Sequence, residues 1–243
     1  MDICVYVELN YHVHYSVPGM TKWLHHQRFS YKQPKAVPAK ADVEKQEAFI
    51  EKYLQLLDEA ANDEPIFFMD SAHPTMATKI SCGWIKKGVD KPIEQSASRT
   101  RVNVMGAIEL STMNVVSVRP EFVNAESTIE FLKQLKSAYP LALKLHVILD
   151  QLGYHRSELV KSFAQAGNIT LHYLPPYSPN LNAIERLWKV MNEEIRNNRF
   201  FKSAKEFRKT IEDFFEITLP KIAPTLRNRI NDNFQIISPA PSG

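Results

Sequence analysis

Glycine is scarce in this chain, with seven among 243 residues. None of the glycine-rich spacing that cradles nucleotide phosphates is present, which removes the common nucleotide-dependent classes. Cysteine is scarcer still. Cys4 and Cys82 stand far apart without CxxC spacing. A disulfide scaffold or a cysteine zinc site is therefore not expected, and a reducing cytoplasm fits. No apolar run reaches the ~18 residues of a membrane-spanning helix. The first residues lack the basic, apolar and small-residue sections of a secretory leader, so neither a membrane partner nor export is expected. Repeats and low-complexity tracts are also missing. What remains is an ordinary globular composition, 44% hydrophobic and 23% charged. The net charge of +3 is a mild lean toward a polyanionic partner.

The first thirty residues carry two short helical patterns around a turn. Val5, Leu9 and Tyr11 line the first. Ser16 stands as N-cap of the second with Pro18 just inside it, and Met20, Trp23, Leu24 and Gln27 follow at helical spacing. This suits a partial helix-turn-helix reader of DNA, and equally a small helix pair that only packs. Lys22, Arg28, Lys32 and Lys35 are the candidate DNA contacts here. The stretch from Ser30 to Lys40 holds Pro34 and Pro38 among lysines, which predicts a basic extended linker. A helix is expected from Asp42 to Leu57.

Beyond Pro65 the period changes. Ile66-Phe67-Phe68-Met69 and Leu145-His146-Val147-Ile148-Leu149 are short continuous apolar runs, the pattern of strands buried on both faces. Val102–Leu110 and Val115–Arg119 predict a hairpin turning near Met113-Asn114. A helix over Glu126–Ala138 has Asn124 or Ser127 as N-cap. A second, Arg156–Ala166, is closed by Gly167. A strand over Ile169–Leu174 and a proline-rich loop precede a helix over Leu181–Asn198. Three strands followed by alternating elements predict an α/β fold, a mixed sheet flanked by helices.

Both buried runs end in an aspartate, Asp70 and Asp150. In open α/β sheets, sites gather at the carboxyl ends of strands. If the two strands are parallel neighbours, both carboxylates reach the same edge, where mutual repulsion calls for a cation. All-oxygen ligands favour Mg²⁺ or Mn²⁺ over zinc. The alternative is that each aspartate merely caps the turn behind it. In the last helix Ile184, Leu187, Trp188, Met191 and Ile195 form the packing face. Asn182, Glu185, Lys189, Asn192 and Arg196 form a polar stripe beside it, suited to a phosphate backbone. Glu185 could otherwise be a surface partner of Lys189. Trp188 and Trp84 are expected in the core, and His155 as a satisfied loop histidine.

The run Ile148-Leu149-Asp150-Gln151-Leu152-Gly153-Tyr154-His155-Arg156-Ser157 resembles the second-aspartate motif of mariner-superfamily transposases of bacterial insertion sequences. The segment from Leu174-Pro175-Pro176-Tyr177-Ser178-Pro179 to Ile184-Glu185-Arg186-Leu187-Trp188 is similar to their third-carboxylate motif. Thirty-four residues lie between Asp150 and Glu185, as in that family. Phe67-Phe68-Met69-Asp70 resembles the first-aspartate strand, and Gly83-Trp84 and Lys87-Gly88 the segment after it. The family often has asparagine where Gln151 stands, and an acidic residue and serine where Ser71-Ala72-His73 follow Asp70.

The resemblance implies a ribonuclease H-like mixed five-stranded sheet. It also implies Asp70, Asp150 and Glu185 as catalytic residues and as ligands of two Mg²⁺ or Mn²⁺ ions. These would support cutting of transposon-end DNA and joining of its 3′-hydroxyl to target DNA, with a TA-type target. Arg156, Lys189 and Arg196 join the candidate DNA contacts. Implied partners are DNA, a second copy in a dimer or larger synaptic complex, and an upstream helix-turn-helix polypeptide, since family members carry a longer reader region. A cytoplasmic, nucleoid-associated location follows. The expected division is a partial helix-turn-helix over 1–30, a basic linker and helix over 31–62, the catalytic domain over 63–215 and a tail over 216–243. The rival expectations are an inactive DNA-binding remnant and another ribonuclease H-like nuclease.

Overall fold

The computed structural model describes residues 3–32 and 37–239, and they fall into two compact units, 1–36 and 37–243. In the first unit, α1 (Ile3–Tyr11) and α2 (Val17–His26) are joined by a short turn. Ser16 caps α2 by accepting from the Gly19 N–H at 3.3 Å, with a proline in the first turn, as the sequence predicts. The packing differs from expectation. Only Met20 of these two helices is buried, and Val5, Leu9, Tyr11 and Trp23 are exposed. Two helices this short cannot cover one another's apolar faces. Lys22, Arg28 and Lys32 are exposed; Lys35 lies outside the described residues.

The second unit opens with α3 (Val43–Glu59), capped by Asp42, which accepts from the Lys45 N–H at 3.1 Å. The sheet strands are β1 (Ile66–Ala72), β2 (Val104–Glu109), β3 (Val115–Val118), β4 (Leu145–Leu149) and β5 (Ile169–Tyr173). Their order is β3-β2-β1-β4-β5, antiparallel on the hairpin side and parallel from β1 to β5. This is the expected ribonuclease H-like mixed sheet. Side chains alternate across each strand. Phe67, Met69, Val147 and Leu149 face a core made with α4 (Ala125–Ala138) and α5 (Glu158–Ala166). Phe68 and Ile148 face the opposite core, made with α3, α6 (Ile184–Ile195), α7 (Ala204–Asp213) and α8 (Leu219–Leu226). Burial on both sides explains why these strands are apolar at every position.

Three expectations need correction. Helix α5 starts at Glu158, behind its Ser157 cap, and α6 at Ile184, behind a 3₁₀ turn over Pro179–Leu181. The prolines of that loop fix the chain in non-helical backbone before the helix opens. Trp84 is fully exposed rather than core, on the irregular excursion over 73–103 that joins β1 to β2.

The third concerns the expected tail over 216–243, whose described residues, 216–239, pack against the second unit. After a π-helical turn over Phe214–Thr218 and α8, the chain returns to α3. Phe234 packs edge-on against Tyr53 at 5.6 Å and tilted against Phe68 at 5.9 Å. Gln46, fully buried, donates to the Ile237 carbonyl at 2.8 Å and accepts from the Ile237 N–H at 3.1 Å. Arg186 of α6 donates to Asn231 and to the Asn233 carbonyl. Aromatic surface on α3 and β1 would otherwise be left uncovered, so this segment and α3 belong to the second unit.

Candidate active site

The parallel ladder fixes the two aspartates. Phe68 of β1 is level with Ile148 of β4, so Asp70 and Asp150, each two residues further on, both lie at the carboxyl end of the two parallel strands. Asp70 is opposite Gly106 on its other side. The third carboxylate arrives through the proline loop. Asn182, buried just ahead of α6, donates to the Met69 carbonyl at 3.1 Å and ties the start of α6 to β1. Glu185 is then in the first turn of α6. Asp70, Asp150 and Glu185 line one cavity of about 480 Å³, together with Arg156, Tyr177 and the prolines of the loop.

Two of the three carboxylates are held by residues for which no such role was expected from the sequence. Nε1 of Trp188 donates to Oδ2 of Asp70 at 3.0 Å. Nδ1 of His155 lies 2.6 Å from Oδ1 of Asp150, which also accepts from the Leu152 N–H at 3.1 Å. His155 is completely buried, with its ring edge-on to Tyr154 at 4.4 Å. It is therefore no simple loop histidine. Its Nε2 has no partner. The signals were present: His155 stands five residues past Asp150, and Trp188 follows Glu185 by nearly one helical turn.

The electrostatics are those of crowded anions. Burial pushes the Asp70 carboxyl up to about 7, and the charges of Glu185 and Asp150 add to the shift. Burial raises Glu185 as well, against the opposing pull of Lys189. The Tyr154 hydroxyl is pushed up to about 12 by burial and by the charges of Asp150 and Asp70. A divalent cation relieves all of these at once, and carboxylate oxygens are the ligands Mg²⁺ and Mn²⁺ prefer. Among the described residues, no three such side chains already enclose a single point. The carboxylates share the cavity wall, with Asp150 drawn onto His155.

The expected basic track is only partly present. Arg156 is exposed on the cavity rim and Lys189 is exposed on α6. Arg196 is committed inward, donating to Thr75 Oγ1 at 2.8 Å and Asn192 Oδ1 at 3.4 Å, and burial lowers its pKa. Asn192 donates to the Trp188 carbonyl at 2.8 Å. The polar stripe along α6 therefore turns into the protein at both ends, because the excursion over 73–103 passes along its far end.

Residues 65–208, more than half of the chain, match the family model described as DDE superfamily endonuclease. The chain belongs to that family. Residues 1–53 match a winged helix-turn-helix model, a span that runs into α3. Among curated proteins, the uncharacterized 39 kDa protein of insertion element IS630 from Shigella sonnei is 27% identical over 165 residues, 68% of this chain and 48% of its own length. The uncharacterized protein y4pE/y4sA of Sinorhizobium fredii is 35% identical over 81 residues, 33% of this chain and 58% of its own length. The chain thus spans about half the length of the curated relatives it matches. Among solved structures, the Mos1 strand transfer complex aligns with a TM-score of 0.66 at 16% identity, over 95% of this chain and 70% of that one. The catalytic domain of Mos1 mariner transposase aligns with a TM-score of 0.53 at 14% identity, over 82% and 94%. At such identities the likeness is one of fold.

Proposed function

We propose that this DDE-family chain is a transposase that cuts DNA at the ends of a mobile element and joins the freed 3′-hydroxyl to target DNA. The observation that carries this reading is that Asp70, Asp150 and Glu185 line one cavity beyond the carboxyl ends of the parallel strands β1 and β4. Solved relatives of the same fold include a strand transfer complex and a mariner Mos1 paired-end complex with Mg. On this reading the partners are element-end and target DNA, and two copies work together in a paired-end assembly.

Asp70, Asp150 and Glu185 would hold two Mg²⁺ or Mn²⁺ ions. When bound, such ions lower the pKa of a water and stabilise the leaving 3′ oxygen in an in-line displacement. The chain's own share is placement. Trp188 and His155 hold one oxygen each of Asp70 and Asp150, beside the cavity that both acids line. Leu174, Pro175 and Pro176 wall off one side, and the exposed guanidinium of Arg156 is available to a phosphate oxygen. No protein nucleophile is required for phosphoryl transfer of this kind.

The test is nicking of duplex DNA carrying the element's ends in Mg²⁺ or Mn²⁺. Asp70→Ala, Asp150→Ala and Glu185→Ala should each abolish nicking and keep a cooperative thermal transition. Nicking that survives in any one of them removes that residue from the centre. DNA binding without nicking by the unaltered chain would favour an inactive remnant.

A further inference from the structure

A second cavity opens at the same edge of the sheet. Strand β2 runs antiparallel to β1, with Val104 level with Ala72, and β3 runs antiparallel to β2, with Val118 level with Met105. The segments Arg101–Asn103 and Arg119–Glu121 therefore flank the carboxyl end of β1. Together with Arg208 and Glu212 of α7 they line a cavity of about 430 Å³. Asn103, buried, builds its floor. It pairs with His73 Nδ1 at 2.9 Å and donates to the carbonyls of Pro120 at 3.3 Å and Glu121 at 2.7 Å. His73 is three residues beyond Asp70, so the floor is fastened to the strand that carries the first carboxylate.

The arginines are unspent. Nε and Nη2 of Arg119 are shielded from solvent and have no hydrogen-bond partner. Its guanidinium is steadied by the Phe215 ring, 5.3 Å from the centroid. Arg101 and Arg208 are exposed. Among the described residues, neither Glu121 nor Glu212 pairs with any of the three. Three guanidinium groups line one cavity, two of them exposed, and the guanidinium fork matches the geometry of a phosphate.

We infer that Arg119, Arg101 and Arg208 form a binding site for a backbone phosphate of the DNA whose scissile phosphate lies at Asp70, Asp150 and Glu185. This rests on the reading of the chain as a DNA-cutting enzyme. Strands lie about 4.8 Å apart, so β3 is about 10 Å from β1. Phosphates of one strand rise about 3.4 Å each along the duplex axis. The site therefore takes a phosphate about three nucleotides from the cut and sets the angle at which the duplex crosses the sheet edge.

The experiment is titration of the full chain with a short mixed-sequence DNA duplex, without divalent metal, over a series of NaCl concentrations. Arg119→Gln should weaken binding several-fold at low salt and reduce the slope of log K against log salt by about 0.9, the value of one lost phosphate contact. The double variant Arg101→Gln/Arg208→Gln, altered only at exposed positions, should do the same with an unchanged melting temperature. Lys133→Gln, on the exposed face of α4, should match the unaltered chain. If the unaltered chain binds and nicks DNA while both arginine variants keep its slope and affinity, the site is overturned and the activity stands. If the unaltered chain neither binds nor nicks DNA, the functional reading fails and the site with it. If inorganic phosphate raises the melting temperature of the unaltered chain but not of Arg119→Gln, and the DNA slopes are equal, the site takes a free anion and its assignment to DNA is wrong.

Discussion

Trp188 Nε1 donates to Asp70 Oδ2 at 3.0 Å across the space between α6 and the sheet, and Gly106 makes the contact possible. Gly106 is opposite Asp70 in the β1–β2 ladder, and a Cβ there would come within 2.8 Å of Cη2 of Trp188. The indole is buried and rigid, so it cannot yield as a flexible side chain would. Trp188→Phe keeps most of the ring and loses the donor. It should reduce nicking roughly 10–100-fold, the usual effect of removing a group that orients a metal ligand, and raise the Mn²⁺ concentration for half-maximal rate. Gly106→Ala should do the same and also lower the melting temperature. A Trp188→Phe enzyme with unchanged metal dependence would show that the hydrogen bond orients nothing.

His155 makes the matching contact to Asp150, but at a different cost. Among the described residues its buried Nε2 has no hydrogen-bond partner, which disfavours the folded state by about 1–3 kcal/mol for an unsatisfied polar group. His155→Phe removes both the useful nitrogen and the orphaned one. Nicking should fall by one to two orders of magnitude, again roughly the 10–100-fold of a lost orienting group, while the melting temperature holds or rises. Loss of activity and of the thermal transition together would mean that the ring is structural.

The Asp70 carboxyl sits at about 7 in the folded chain against an ordinary value of 3.8. A raised acid contributes stability that is fully present below its unfolded pKa and is lost as pH rises through the folded value. The metal-free chain should therefore lose thermal stability as pH rises from about 4 to about 7, most steeply midway between those values, and level off above them. Asp70→Asn should flatten that part of the profile and raise the melting temperature at pH 8. Mn²⁺ should stabilise the unaltered chain more at pH 8 than at pH 5.5, and Asp70→Asn very little. A pH-independent response to Mn²⁺ in calorimetry would contradict the crowding of charge at this site.

The C-terminal return should matter to folding rather than to chemistry. Phe234→Ala uncovers Tyr53 and Phe68 and should cost about 2 kcal/mol, under the roughly 3–5 kcal/mol of a fully buried ring, in denaturant unfolding. Gln46→Ala leaves the Ile237 N–H and carbonyl without their partner and should destabilise the chain comparably. A variant ending at residue 229 that unfolds like the full chain would return this segment to the status of a tail.

What the sequence shows and what it hides divide along physical lines. Phe67, Met69, Val147 and Leu149 could be assigned because burial on both faces leaves a strand no polar position. Asp70, Asp150 and Glu185 stand at element ends, where an acid can equally be a cap or a surface partner, and only the resemblance of their flanking motifs to mariner-superfamily transposases singles them out. The domain limits were harder. Residues 216–243 look tail-like because Pro220 and Pro224 interrupt the helical pattern, yet Phe234 and Ile237 complete a core begun at Gln46, a partner nearly two hundred positions away in the chain. Arg196 looks like a surface charge until Thr75 arrives from a distant loop. Arg119, Arg101 and Arg208 share no spacing at all; only the antiparallel return of the hairpin and the approach of α7 bring them together. Likewise His146 meets His172 at 3.0 Å through the β4–β5 ladder, and burial and the neighbouring His146 push His172 down to about 4.

Phe68 and Ile148 are the last residues paired between β1 and β4, and each acid follows two positions later. The approach of Asp70 to Asp150 is therefore anchored in the sheet, while the excursion over 73–103 reaches the far end of α6 through Thr75 and Arg196.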